Sequence, residues 1–270
     1  MDKKEELINK KEEFKSKTCI ACFSGGKDSA ATIILAHLRG WPLHKIVFSE
    51  VMFDKETSGE LPEHIDFVKN TAIPLFESWG YECVIVHSEK TYMDCFNHVV
   101  KGSSVSERNG KRAGFPMGGK CNINRDCKVK PITQYVKSIE GEVVQYIGIA
   151  KDEPERLERL KGTNKFSILD AEDHTEQMAY ELAAEYNLLS HHYGFAPRGG
   201  CWFCPNARYG EKKHLRTHHR ELWQKLLDLE NEDGLVGAVW DTRNKRSAHQ
   251  DEEMFMWEDR QIKIWDFLEE

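Results

Sequence analysis

No part of this 270-residue sequence contains the roughly 20 consecutive apolar residues that a membrane-spanning helix needs, so no membrane partner is expected. Positive charge is also in the minority. Lys and Arg total 38 against 45 Asp and Glu, a net charge of −7. No global field therefore draws the chain to nucleic acid, and any such contact has to be local. The first 17 residues, MDKKEELINKKEEFKSK, lack the apolar core of a secretory signal. They read as a solvated helix over 1–17, and the expected location is cytoplasmic. Internal repeats and low-complexity linkers are absent too. With 40% hydrophobic and 31% charged residues, the composition is that of an ordinary globular protein, long enough for one large domain or a domain with an appendage.

Eight cysteines in such a chain argue for metal or redox chemistry over a disulfide framework. Cys19 and Cys22 lie in the apolar run TCIACF. Positions three apart on a strand face opposite sides, so these two thiols diverge, and burial explains them better than a shared metal. Cys83 and Cys95 stand alone, and core filling is the default for both. Cys201 and Cys204 in RGGCWFCPN form a tight pair, with Gly199, Gly200 and Pro205 shaping the turn. Cys121 and Cys127 supply a second pair. Together the four suit a tetrahedral zinc ion or a 4Fe–4S cluster, and spacing does not separate the two. No cysteine follows Cys204.

Four apolar runs read as short buried strands: 18–23, 44–51, 82–87 and 143–150. Helical spacing fills most of the gaps, with Gly40 and Gly80 placed to end two of the helices. Strands alternating with helices imply an α/β fold, a doubly wound parallel sheet covered on both faces. The expected division is a nucleotide-binding domain over 18–195 and a cysteine knuckle with helical region over 196–270, packed on it. Residues 101–128 are rich in glycine, serine and basic side chains and lack periodicity, as a functional loop would. A helix is expected from about Thr175 to Tyr186. Residues 211–230 read as one basic amphipathic helix, and the acidic tail carries enough aromatics to dock.

The hexapeptide SGGKDS, residues 24–29, follows the first strand and opens its helix. Gly25 and Gly26 let the backbone approach an anion, and the helix N-terminus supplies free amides and the positive end of its dipole. Ser24 and Ser29 can donate hydroxyl hydrogen bonds, and Lys27 adds a point charge. Asp28 can cap the helix or help hold Mg2+. The motif resembles the pyrophosphate loop of the adenine nucleotide alpha-hydrolase superfamily. That resemblance implies a loop holding the β and γ phosphates of ATP as leaving pyrophosphate.

Further segments resemble the phosphoadenosine phosphosulfate (PAPS) reductase domain family over about residues 18–210: FSEVMFDKETSGELPEHIDFV, YIGIAKDEPERL, GFPM, CNINRDCKVKPI and GGCWFCPNA. The resemblance implies an adenine nucleotide, ATP or PAPS, cradled beyond the second strand near Glu50 and beside Gly148. It also implies Asp152, Glu153 and Arg156 at the same sheet edge as Lys27 and Asp28, with carboxylates for magnesium and an arginine for phosphate or sulfate. Relatives hold a 4Fe–4S cluster on cysteines related to Cys121, Cys127, Cys201 and Cys204, with zinc as the alternative. Reductases of this family attack sulfur with a cysteine near the C-terminus, which this chain lacks. The leading expectation is therefore an ATP pyrophosphatase that adenylates an acceptor, with sulfonucleotide reduction second and non-enzymatic nucleotide sensing third. RNGKR and EKKHLRTHHR make a nucleic-acid acceptor one expectation; a small molecule is the other.

Overall fold

The computed structural model describes residues 3–102, 106–117, 121–196, 199–241 and 244–266, with side chains as far as Gln261. Parts of the expected 101–128 loop and of the tail thus lie outside the described residues. The strands are β1 (Thr18–Phe23), β2 (Lys45–Glu50), β3 (Glu82–His87), β4 (Arg112–Gly114), β5 (Val143–Tyr146), β6 (Lys165–Phe166) and β7 (Leu235–Gly237). The chain divides into two compact units. The first comprises the residues up to Val51, Glu60–Glu89 and Asp126–Gly199; the second comprises Met52–Gly59, Lys90–Arg125 and the residues from Gly200 on. The units interleave along the chain, where the sequence suggests a single boundary after residue 195.

The first unit is a five-stranded sheet in the order β3-β2-β1-β5-β6, parallel throughout. The doubly wound α/β fold read from the sequence is thus the one observed. The order reverses between β1 and β5, where Ala21 pairs with Tyr146, and such a reversal opens a crevice beyond the strand ends. β1 to β3 lie within the runs read from the sequence. β5 is shorter than expected, because the chain turns after Tyr146: the Ile149 amide bonds back to the Ile147 carbonyl at 2.9 Å. β6 is too short to produce a pattern.

Helix Lys27–Arg39 is apolar nearly all round, with Ala30, Ala31, Ile33, Ile34, Leu35 and Ala36 buried. A helix of that kind needs cover on two sides. The sheet covers one side, and helix Glu176–Glu185 covers the other with its buried Ala179 and Ala183. Thr175 caps that second helix by accepting from the Met178 amide at 3.3 Å. The segment after β2, read as one helix ending at Gly80, contains a wide π turn at Val68–Ala72, with the Ile73 amide on the Val68 carbonyl. Pro74 follows directly; a proline has no amide to give and crowds the carbonyl four residues back, so the ladder widens there.

In the second unit, β4 and β7 form a small parallel sheet. Phe53, Tyr92, Trp202 and Phe203 form an aromatic core, with the Tyr92 and Phe203 ring centres 3.9 Å apart. The expected basic helix is two helices, Tyr209–His218 and Arg220–Glu230, broken at His219. Their cations are matched by acids. Lys212 meets Asp241 and Asp251 at 2.8 Å each, Lys213 meets Glu258, and Arg216 meets Glu252 and Asp259. The acidic tail docks as helix Ala248–Asp266, with Phe255 buried. None of the described helices is long and apolar enough to cross a membrane.

Glu252 ties this unit together: it accepts from Arg216, Arg220 and the Trp223 indole, the last at 2.6 Å. Burial alone would raise its pKa, but hydrogen bonds from Arg220, Arg216 and Trp223 outweigh that and hold it down to about 2. Its contribution to stability is therefore complete above the ordinary carboxylate range and is lost as pH falls through about 2. At neutral pH, Glu252→Gln should cost about 1.5–3 kcal/mol in urea unfolding, the range for hydrogen bonds to a charged group.

Candidate active site at the sheet reversal

The site lies wholly within the first unit. The loop that leaves β1 turns at Gly25, whose φ is +74°. A Cβ there would come 2.3 Å from Cε1 of His64, so only glycine fits. On the β5 side, a Cβ on Gly148 would lie 2.6 Å from the Ser29 amide nitrogen and 2.7 Å from the Asp28 carbonyl carbon. The strand-end glycine thus packs on the loop backbone itself. The resemblance had suggested Gly148 as a ligand contact; its visible role is this close approach.

The two serines close the loop on itself. The Ser29 hydroxyl donates to the Gly26 carbonyl at 2.8 Å and accepts from the Ser24 amide at 3.1 Å. With its proton so committed, the 3.1 Å contact between the two hydroxyls has Ser24 as donor. Both hydroxyl protons, expected on an anion, therefore serve the turn. Among the described residues, no acceptor takes the Gly25 amide. The Lys27 amide donates to the Tyr193 phenol oxygen at 2.8 Å, which places an oxygen at the helix N-terminus. Burial first of all pushes the Tyr193 phenol up, so it keeps its proton and has that proton to donate.

Charge is concentrated around Lys27. Its ammonium lies 2.7 Å from Asp28 and 3.3 Å from Glu176. Burial works against the charge on Lys27, but Asp28 and then Glu176 outweigh it, and its pKa is raised. Burial raises Asp28, Lys27 opposes the rise, and Glu176 and Glu153 add to it. Glu176 and Glu153 thus both bear on Asp28, which is paired with Lys27.

The remaining expected residues have other partners in this structure. Asp152 accepts the Glu176 amide at 3.0 Å and so caps the helix that begins there. Glu153 accepts the Ala150 amide at 3.0 Å and pairs with Arg156, whose guanidinium is turned to Glu153. Glu50 is buried at the end of β2, paired with Lys69 and His87 at 3.0 Å each. Cys19 is buried and Cys22 half-buried, its thiol pushed up to about 12 by burial.

Under the loop lies a pair of histidines that sequence reasoning passes over. His64 Nε2 is 3.0 Å from the Ser24 carbonyl, and its Nδ1 is 3.2 Å from Ser190 Oγ and 3.3 Å from His192 Nδ1. His192 is fully buried, and its Nε2 has no hydrogen-bond partner among the described residues. Glu176 and Tyr193 were likewise missed. A Thr-Glu pair at a helix start could have flagged Glu176; nothing local marks the histidines or Tyr193.

Of the four expected metal ligands, Cys121, Cys201 and Cys204 belong to the second unit and Cys127 to the first. Cys121 Sγ accepts the Asn124 amide at 3.5 Å, and the Cys204 amide closes a turn on the Cys201 carbonyl at 3.0 Å. The Tyr92 hydroxyl is buried with no hydrogen-bond partner among the described residues. Burial, then Cys201, Cys121 and Cys95, push this phenol well above its usual range. Cys95, read as simple core filling, therefore shares this neighbourhood.

No family model matches the chain. An uncharacterized protein of Methanocaldococcus jannaschii is 27% identical over an aligned 235 residues, covering 81% of this chain and 50% of that protein. The chain spans about half the length of this curated relative. Among solved structures, the U34-tRNA thiolase NcsA from Methanococcus maripaludis, with its 4Fe–4S cluster, aligns at 16% identity and a TM-score of 0.39. That alignment covers 85% of this chain and 70% of the thiolase.

The two histidines set an acid limit. Burial first, then His64, pulls His192 down to about 3; burial also lowers His64, against an opposing pull from Glu60. His192 stays neutral in the fold well below the pH at which the unfolded chain takes up its proton, near 6.5. Stability should therefore fall as pH drops below about 6.5, by up to about 1.4 kcal/mol per pH unit for His192, with His64 adding to the fall in the same direction. Urea midpoints between pH 7 and 5 should show the fall, and His192→Gln should reduce its slope.

Proposed function

We propose that the first unit binds an adenine nucleotide and cleaves ATP between the α and β phosphates, transferring adenylate to an acceptor. What carries the reading is the glycine loop at the sheet reversal, with a Gly25 amide that no described residue accepts, a helix N-terminus and the Lys27 ammonium in one place. In the reaction, an acceptor oxygen attacks the α-phosphorus. The bond from that phosphorus to the α–β bridging oxygen breaks, and the electron pair leaves with pyrophosphate. Lys27 and the loop amides hold the departing negative charge, and the Tyr193 hydroxyl can donate to the same oxygens.

The negative potential that Glu176 and Glu153 place on Asp28 fits a divalent cation, whose positive charge would offset it. Magnesium held by Asp28 and Glu153 would neutralise phosphate charge. Asp152 and Arg156 support the site through the helix cap and Glu153, and Glu50 sets the end of β2.

The thiols favour adenylation over sulfonucleotide reduction. A nucleophilic cysteine needs a depressed pKa. In the first unit, Cys19, Cys22 and Cys83 are all raised by burial, Cys22 to about 12 and Cys83 to about 11.

In the second unit, Cys121, Cys201 and Cys204 are the set that would hold a 4Fe–4S cluster or zinc. The amide donated to Cys121 and the Tyr92 hydroxyl, which has no partner among the described residues, suit thiolate sulfur. Such a group suits sulfur chemistry on the activated acceptor, a nucleic acid or a small molecule. Cys127, the fourth of the expected set, lies in the first unit and is left out of this one.

Radiolabelled ATP with magnesium should yield AMP and pyrophosphate, slowly until an acceptor is supplied. Lys27→Ala should lower the rate at least about 100-fold, as loss of a transition-state donor does, while leaving thermal unfolding nearly unchanged. Unchanged pyrophosphate release in that variant would overturn the reading. Anaerobically purified protein should be brown and carry iron and sulfide. Serine at Cys121, Cys201 or Cys204 should remove or weaken the colour; a colourless protein with bound zinc would assign the site to zinc.

A further inference from the structure

We propose that His64, held in one tautomer by Ser190 and His192, is the positioning residue that aims the Gly25 amide at the bound phosphate. The inference rests on the nucleotide reading above and assigns the origin of the loop's geometry.

A carbonyl oxygen can only accept, so the 3.0 Å contact with Ser24 O requires the proton on His64 Nε2. Burial keeps the ring neutral, so Nδ1 carries a bare lone pair. The Ser190 hydroxyl and His192 Nδ1 both reach that lone pair, and either one, donating, excludes the other tautomer.

The consequence for the loop follows from peptide planarity. No described peptide bond is cis. In a trans peptide, the carbonyl of one residue and the amide of the next point in opposite directions. With the Ser24 carbonyl held down on His64, the Gly25 N–H is turned to the other side of the loop, where no described residue accepts it. The ring has no freedom to release the carbonyl. A Cβ at Gly25 would overlap its edge, and one at Gly199 would come 2.9 Å from its Cε1. His64 is 1% exposed, so water does not compete for the bond.

A merely space-filling ring would act differently from a donor, and two substitutions separate these roles. His64→Leu fills much of the volume and donates nothing. His64→Gln places an amide N–H near the position of Nε2. In the full chain, titration with inorganic pyrophosphate should move the Gly25 amide proton downfield in the nitrogen–proton NMR spectrum. His64→Leu should bind pyrophosphate at least about 10-fold more weakly, about 1.4 kcal/mol, with the Gly25 response lost. His64→Gln should recover part of both.

A folded His64→Leu protein that binds as the parent does, or a parent Gly25 amide that stays still while those of Lys27 and Asp28 respond, would overturn the role of His64 and leave the nucleotide reading standing. A parent protein that binds neither pyrophosphate nor ATP would overturn both. Should His64→Leu fail to fold, ring nitrogen shifts of the parent decide. A protonated Nε2 with bare Nδ1 supports the assignment, and the reverse tautomer rejects it.

Discussion

The loop after β1 is gripped at two points where no side chain fits: Gly25 against the His64 ring and Gly148 against the backbone of Asp28 and Ser29. The candidate site depends on these two contacts. They fix a short backbone segment whose amides would otherwise find partners by turning. Backbone donors held in place need no reorganisation when an anion arrives, which is how such loops bind charge strongly in a partly dry crevice. The serine pair closes the turn from within, and the histidine pair supports it from below.

Under the proposed reading, the charges around the loop would meet a ligand that is itself highly charged. Lys27 is shared between Asp28 and Glu176, and Glu153 adds negative potential. Alone, this arrangement is acidic. It makes physical sense with a polyphosphate and a divalent cation, the phosphates drawing Lys27 and the cation drawing the carboxylates. Asp152 and Arg156, placed at the site by the resemblance, hold the neighbouring backbone and Glu153 in this structure. Support of that kind orients a charged group without touching the substrate.

The second unit shows how little a run of basic residues says about its partner. Residues 211–220 look like a phosphate-binding face, yet Lys212, Lys213, Arg216 and Arg220 are answered by Asp241, Asp251, Glu252, Glu258 and Asp259. The net charge of −7 already allowed for this. Buried pairs such as Lys212 with its two aspartates are costly to break from one side, so they bind the unit's helices into one arrangement.

What the sequence determined by itself is the local architecture: the parallel strands β1 to β3, the helix opening at Lys27, and the SGGKDS turn between them. Their hydrophobic period and glycine spacing act over a few residues, so they are readable in one dimension. The tertiary structure alone decided which side chains support the loop. His64 lies more than a hundred residues from Ser190 and His192, and Lys27 more than a hundred from Tyr193, and no periodicity links them. It also decided that Ser24 and Ser29 bond to each other, that Asp152 caps a helix, and that the basic helices are neutralised. Apart from the serine pair, which is local, these outcomes depend on a hydrogen bond or ion pair between distant segments, and a partner is chosen only when the packed core brings it within about 3 Å.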